Sequence, residues 1–480
     1  MERRLRYLAD LGVTAIELMP VADFPGRCNW GYDGVLPFAP DASYGRPEDL
    51  KRLVQAAHAR GLMVLLDVVY NHFGPEGNYL HVFARDGFFT ERHHTPWGAA
   101  INFDGPDAAL VRRFFVDNAL YWIEEYHLDG LRLDAVHAIC DDSATHVLEE
   151  IAAAVRAGPG RQRQVHLVLE NDANQGGLLA RDASGRPRWY TAQWNDDLHH
   201  ALHVILTGEA DGYYADYAAA PQAHVGRCLA EGFAYQGERS PYRRGEARGE
   251  RSAHLPPGAF VGFLQNHDQV GNRAFGERLG TLAPPQALTL ATAILLLAPA
   301  PPLLFMGEEH AAPVPFLYFC DFGPELAAAV TAGRRREFQR FERFSDPASR
   351  DAIPDPTDRE TFRRSRLDWD CLDRPHHAQV LARYRELLSL RHRELVPHLA
   401  GTPGGAGRWW TFCTAGLAVD WTLGDGSRLA LRANLGPEET CGVSPATGRL
   451  VHRVGDEVLS PSRLPPWSGT WHLDETREQT

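Results

Sequence analysis

Seven short apolar runs recur along the chain, each separated from the next by a helix-length segment, and this alternation constrains the fold more than any other feature. The runs are 14–19 (Thr-Ala-Ile-Glu-Leu-Met), 63–69 (Met-Val-Leu-Leu-Asp-Val-Val), 129–134, 165–170, a weaker one near 190–196, 260–265 and 302–306. Near-continuous apolar runs are expected where helices cover both faces of a parallel sheet. Between them lie amphipathic stretches such as 47–60, opened by Pro47 and stopped before Gly61. The pattern predicts an α/β fold, and acids at the run ends suit the catalytic face of a (β/α)8 TIM-type barrel. Seven runs are one short of eight. The chain opens inside a predicted helix, with Leu5, Leu8 and Leu11 at three-residue spacing and Gly12 as its stop. The expectation is therefore a barrel lacking its first strand, with an open edge.

The barrel is expected over residues 1–400, with a long loop at 73–105 rich in His, Gly and aromatics, and a polar, mobile excursion at 234–258. From about Gly401 the pattern changes to short β-prone runs with Gly and Pro turns (Arg-Trp-Trp-Thr-Phe-Cys, Arg-Leu-Ala-Leu-Arg-Ala-Asn), which predicts a C-terminal antiparallel β-sandwich over 401–480. A formal charge of −13 excludes a general nucleic-acid or anionic-membrane surface and suits a polar, uncharged substrate. Seven scattered cysteines (28, 140, 228, 320, 371, 413 and 441) without CxxC spacing point to reduced structural thiols in a cytoplasmic protein. The N-terminal residues carry no apolar signal core, and the apolar stretch 287–306 is cut by Pro299, Pro301 and Pro302 into a helix ending near Ala298 and a strand over 302–306. No convincing metal cage, dinucleotide fingerprint, P-loop or GxSxG elbow is present, so no cofactor is expected.

Three acids end separate runs: Asp134 in Asp-Gly-Leu-Arg-Leu-Asp, Glu170 in Val-Leu-Glu-Asn and Asp268 in Leu-Gln-Asn-His-Asp. Such acids converge if their strands share a barrel, and the trio suits cleavage of a glycosidic bond. Retaining cleavage needs an ionised nucleophile and a protonated acid. Arg132, two residues before Asp134 on the same strand face, favours its ionised form, making Asp134 the nucleophile. Glu170, on a longer side chain after an apolar strand, is then the acid and later the base. Asp268 binds sugar hydroxyls and keeps Glu170 protonated through charge repulsion. His72, after Asp67 and Asn71, offers a hydrogen bond to a sugar. Trp30, Tyr32 and Trp97 lie in loops where rings can stack on pyranose faces. Taken singly, each of these residues is more often a cap, an ion-pair partner or a loop anchor; together they make a site.

These motifs resemble the α-amylase superfamily of glycoside hydrolases and, within it, the maltooligosyltrehalose trehalohydrolase family. The resemblance rests on Leu-Asp-Val-Val-Tyr-Asn-His-Phe-Gly-Pro-Glu-Gly-Asn-Tyr-Leu (66–80), Thr-Pro-Trp-Gly (95–98), Asp-Gly-Leu-Arg-Leu-Asp-Ala-Val-His-Ala-Ile (129–139), Leu-Glu-Asn-Asp (169–172), Gln-Trp-Asn-Asp-Asp-Leu-His-His (193–200), Leu-Gln-Asn-His-Asp-Gln-Val-Gly-Asn-Arg (264–273) and Leu-Leu-Phe-Met-Gly-Glu-Glu (303–309). It implies Asp134 as nucleophile, Glu170 as acid/base and Asp268 as third acid. Arg132, His72 and His267 then contact the sugar at the cleavage point, and Tyr32 stacks on it. Trp194, Asp196, Asp197, His199 and His200 are expected on the trehalose side. The implied reaction hydrolyses the α-1,4 bond beside the terminal trehalose of maltooligosyltrehalose, a substrate made by a maltooligosyltrehalose synthase. Departures are the absence of the family's N-terminal β-sandwich and first strand, and Val314, Cys320 and Phe322 in the segment after Gly307. The alternatives are a glucan-branching enzyme, with a sugar hydroxyl as acceptor, and a non-catalytic glucan-binding barrel.

Overall fold

The computed structural model describes residues 1–95, 98–456 and 462–475. All seven expected parallel strands are present: β1 (Ala15–Leu18), β2 (Met63–Val68), β3 (Gly130–Leu133), β4 (His166–Leu169), β5 (Ala192–Trp194), β6 (Phe260–Phe263) and β7 (Pro302–Leu303). The fold is α/β of the TIM-barrel type with a C-terminal antiparallel sheet. The chain divides into two compact units: Met1–Asp172 with Trp189–Ala192 and Leu317–Arg366, and Ala173–Arg188 with Gln193–Phe316 and Leu367–Thr480.

In the first unit β1, β2, β3 and β4 lie side by side in parallel. Leu18 sits opposite Leu66, Asp67 opposite Arg132, and Leu133 opposite Leu169. Helices of opposite character frame them. α1 (Leu5–Leu11) stops at Gly12, whose φ of +99° is the left-handed geometry of a helix C-terminus. α2 (Pro47–His58) starts on a proline, with Asp49 accepting from the Arg46 amide at 2.9 Å. α3 (Ala108–Glu125) and α4 (Val147–Ala157) each bury an apolar stripe, including Phe115, Trp122 and Ile123 on α3 and Leu148, Ile151 and Val155 on α4. The apolar faces of β2, β3 and β4 are almost wholly excluded from water, as their unbroken sequences predict.

The second unit pairs β5 with β6 through Trp194 and Val261, and β6 with β7 through Phe263 and Leu303. α5 (Asp196–Thr207) follows β5, the one-turn α6 (His267–Gly271) follows β6, and α7 (Pro285–Leu296) precedes β7. The expected β-sandwich is a five-stranded antiparallel sheet plus a two-stranded pair. In chain order its strands are β8 (Gly407–Phe412), β9 (Gly416–Thr422), β10 (Arg428–Asn434), β11 (Thr440–Cys441), β12 (Arg449–Val454), β13 (Arg463–Leu464) and β14 (Ser468–Asp474). The sheet order is β8-β9-β10-β14-β12, and β11 pairs with β13. Trp421 anchors it on the preceding helix Pro221–Glu231: its indole N–H donates to the Leu229 carbonyl at 2.9 Å while its ring is 1% exposed.

The stretch 234–258 corrects the sequence expectation. Instead of a mobile excursion it contains a hairpin, Glu238–Ser240 against Glu246–Arg248, that buries Ser240 and Arg248. Its charge misleads because the charged Arg248 points inward to a buried partner, Asp197, rather than to water. Among the described residues no helix is long and apolar enough to cross a membrane.

Candidate active site

The strand register places Asp67 and Arg132 beside each other, and the period of two places Asp134 on the same side as Arg132. Arg132 is wholly buried and its guanidinium holds three carboxylates at once. Nη1 lies 2.6 Å from Asp67 Oδ2 and 2.9 Å from Asp134 Oδ1, and Nη2 lies 3.0 Å from Glu170 Oε2. Burial would lower the pKa of Arg132, but Asp67 and Glu170, then Tyr32 and Asp134, hold it well above its ordinary value. Burial raises Asp67 to about 6, against the pull of Arg132 and of the Tyr32 hydroxyl, which donates to Oδ2 at 2.6 Å.

Backbone hydrogen bonds fix the two strand-end acids. The Asp134 amide donates to the Val68 carbonyl and the Glu170 amide to the Leu133 carbonyl, each at 3.0 Å, continuing the ladders one residue past β3 and β4. Ala135 then turns left-handed, with φ +39°, and its amide donates to Glu170 Oε2 at 2.7 Å. Asp134 is 8% exposed; the Glu170 side chain is 19% exposed, so both acids sit at the edge of solvent. One detail differs from the sequence argument. Arg132 was expected to act on Asp134 alone, yet it reaches Glu170 as closely, so it does not by itself set the two acids apart.

His72 is half-buried, with Nδ1 2.7 Å from Asn71 Oδ1 and Nε2 2.9 Å from the Tyr32 carbonyl. Burial pushes its pKa down to about 4. A neutral imidazole has a single N–H, so one of these two oxygen contacts lacks a hydrogen. Tyr32 itself is set by Gly31, whose φ is +104° and where a Cβ would stand 2.1 Å from the Pro20 carbonyl oxygen. Trp30 is an anchor rather than a platform: it is 5% exposed and its indole donates to Leu317 O at 3.0 Å. Trp97 lies outside the described residues.

In the second unit the turn after β6 is capped by Asn266, whose side chain accepts from the Gln269 amide at 2.8 Å. This starts α6 with His267 buried and the Asp268 side chain 33% exposed. Asp268 Oδ2 lies 3.4 Å from His267 Nε2, and the Trp194 and His267 rings are 5.9 Å apart. Asp196 accepts from Gln269 Nε2 at 3.3 Å. Trp194, Asp196, His267 and Asp268 therefore form one group.

Asp197 does not join them. It is fully buried, with Arg248 Nη1 2.8 Å from Oδ1 and with donors from Asn174, Ala234, Tyr235 and Tyr217 on its two oxygens. Despite burial, Arg248 and these donors keep its carboxylate below the usual range. We therefore correct its expected sugar contact to an internal ion pair. His199 and His200 are likewise inside the unit: His199 bonds to the Leu264 carbonyl, and His200 packs among the rings of Tyr213, Tyr214 and Tyr217.

Two acids escaped the sequence reading, the half-buried Glu17 and the buried Glu308. Glu17 on β1 is pushed up to about 8 by burial and by Asp67, and Glu308 after β7 reaches about 8 through burial. Glu308 accepts from Gln265 Nε2 at 3.3 Å and from the Tyr384 hydroxyl at 3.4 Å. An acid inside an apolar run was the available signal for Glu17. His93, Asp104 and Asp142 bring ligand atoms within 4.8 Å of one another. Arg92 supplies the positive charge there, 3.3 Å from Asp104 and 3.8 Å from Asp142, so the group is an ion-pair cluster.

Comparison with known proteins adds the following. A family model described as the α-amylase catalytic domain matches residues 1–97, and a domain of unknown function, DUF3459, matches 404–471. A malto-oligosyltrehalose trehalohydrolase of Mycobacterium tuberculosis is 40% identical over 93% of this chain and 74% of its own length. One from Rhizobium sp. is 44% identical over 83% of this chain and 65% of its own length. A crystal structure from Salmonella typhimurium, described as a putative α-amylase, is 46% identical, with a TM-score of 0.93 over 99% of this chain and 78% of that one. A 1,4-α-glucan branching enzyme of Jannaschia is 45% identical, but over 27% of this chain and 19% of its own.

Proposed function

The chain belongs to the malto-oligosyltrehalose trehalohydrolase family, and from that premise we propose that it hydrolyses the α-1,4 bond next to the terminal trehalose of maltooligosyltrehalose, releasing trehalose with retention of configuration. The observation that carries the reading is the Arg132 cluster, which holds two strand-end acids at the solvent edge of one site.

In this mechanism the ionised Asp134, fixed by Arg132 and by its backbone bond to Val68, attacks the anomeric carbon. Glu170 protonates the departing glycosidic oxygen. Its Oε2 is taken by Arg132 and the Ala135 amide, so Oε1 carries the transferable proton. Water, deprotonated by the same carboxylate, then releases the glycosyl group from Asp134. Asp268 binds hydroxyls of the sugar at the cleavage point. His72, Arg132, His267 and the Tyr32 ring complete the contacts at that sugar. Trp194 and Asp196 are placed on the trehalose side, supported by their grouping with His267 and Gln269.

We assign residues 1–400 to the catalytic barrel and 401–480 to the C-terminal β-sandwich. The substrate is the product of a maltooligosyltrehalose synthase, and both act in the cytoplasm. A branching activity is disfavoured by the short span of the branching-enzyme match. The experiment is Glu170→Gln: turnover is expected to fall by orders of magnitude with substrate binding kept, since a proton donor is lost and little shape. Near-normal turnover in that variant would remove Glu170 from its role.

A further inference from the structure

The cysteines do not all behave as the structural thiols that their scatter along the sequence suggests. Cys228, Cys320 and Cys371 are buried, but Cys413 and Cys441 are both exposed, and their Sγ atoms lie 3.3 Å apart. That is longer than the ~2.05 Å of a disulfide and short enough for one thiol to donate to the other. The pair is 28 positions apart in sequence, which is why no local spacing reveals it.

The sheet brings the two together. Cys413 opens the three-residue turn between β8 and β9, whose ends are paired Phe412 to Gly416. It does so with φ +47°, a left-handed geometry that L side chains adopt rarely. Cys441 ends β11, opposite Arg463 on β13. The next residue, Gly442, also has positive φ, and even a Cβ built there would lie 3.7 Å from Cys413 Sγ, in ordinary contact. The Cys413 thiol also lies 3.0 Å from the Cys441 carbonyl, to which it donates.

We propose that Cys413 and Cys441 form an oxidisable dithiol, which a low-molecular-weight disulfide converts to a cross-link between the β8–β9 turn and β11. The steps balance as two successive exchanges. The Cys413 thiolate attacks one sulfur of the small disulfide, forming a mixed disulfide and expelling one small thiolate. The Cys441 thiolate then attacks Cys413 Sγ and expels the second small thiolate. Two protein thiols are oxidised, one disulfide is reduced to two thiols, and the two protons pass to the leaving groups. The order follows from the pair's polarity. Hydrogen bonding from Cys441 holds the Cys413 thiol below its ordinary value, whereas Cys441 is raised by the same contact. Cys413 is therefore the first nucleophile and Cys441 the resolving thiol. The cross-link closes a loop containing β9 and β10, and β9 lies with β8 against the helix Pro221–Glu231.

The test treats the full-length protein with oxidised glutathione, alkylates the remaining thiols and maps them by peptide mass spectrometry. The expected result is a Cys413–Cys441 linked peptide within one chain, no retained glutathione on either residue, reversal by dithiothreitol, and an unfolding midpoint raised by about 3 °C. C441S should instead stop at a stable glutathione adduct on Cys413. C413S should leave Cys441 reacting more slowly than Cys413 does in C441S. Alkylation of both thiols after treatment, a stable adduct on Cys413 in the unsubstituted protein, or a cross-link only between chains would overturn the proposal. The two single variants replace exposed side chains, so their folding, checked by circular dichroism, does not obscure the outcome.

Discussion

Glu308→Gln is expected to stabilise this protein at neutral pH, although it alters a fully buried residue. Glu308 is pushed from 4.5 to about 8 by burial, so at pH 7 it is protonated in the folded chain and ionised in the unfolded one. A raised folded pKa means that its contribution to stability is complete below pH 4.5 and is lost as pH rises through 8. Each pH unit in that window costs about 1.4 kcal/mol, which amounts to about 3 kcal/mol at pH 7. Glutamine has the same shape and no charge to desolvate, so it removes this cost. It forfeits one of the two acceptor oxygens that take hydrogen bonds from Gln265 and Tyr384, a loss of about 1 kcal/mol. The net expectation is a gain of about 2 kcal/mol at pH 7 that grows towards pH 8 and vanishes near pH 5. Urea unfolding of parent and variant at pH 5, 6, 7 and 8 isolates the effect, because every other titrating group cancels in the difference. A difference that does not change with pH, or a variant less stable than its parent at pH 8, would refute the reasoning and place an ionised Glu308 in the folded state.

Arg132→Met removes the cation that touches Asp67, Asp134 and Glu170, and should destabilise the fold by about 3–5 kcal/mol. It should also move the acidic limb of the residual pH–rate profile to higher pH, because the nucleophile becomes harder to ionise; an unmoved limb would contradict the assignment of Arg132. Asp197→Asn leaves Arg248 buried without its partner and should cost about 3–5 kcal/mol while leaving KM unchanged in the folded protein. A raised KM with unchanged stability would restore Asp197 to the sugar site. His72 and His199 are held neutral by burial, at about 4 and about 3, and His200 is lowered as well. The unfolded chain therefore binds more protons below pH 6.5, and stability should fall as pH drops from 6.5 towards 4. His200→Phe, which replaces a ring packed among tyrosines, should flatten that slope, as followed by thermal unfolding at each pH.

The barrel strands were legible because burial on both faces leaves an unbroken apolar run, and Asp134 and Glu170 because a strand-end acid interrupts such a run. The register that sets Asp67 beside Arg132 was not legible, since parallel pairing is a property of two distant segments. Asp196 and Asp197 show a second limit. Adjacent positions on a helix point about 100° apart, so one acid reaches α6 and the other the interior, and only the partner Arg248, 51 positions away, decides which. The same distance blindness hid Arg248 in a segment that reads as a solvated loop, and hid the Cys413–Cys441 pair. Glu308 was visible as a residue but not as a buried acid, because its neighbours Gln265 and Tyr384 come from other elements.

Product analysis on maltotriosyltrehalose, with maltopentaose as the parallel substrate, tests the central claim most directly. The account predicts free trehalose and maltotriose from the first and little cleavage of the second. Equal cleavage of both would make the protein a general α-glucan hydrolase, and glucan transfer without new reducing ends would make it a branching enzyme; either contradicts the proposed function.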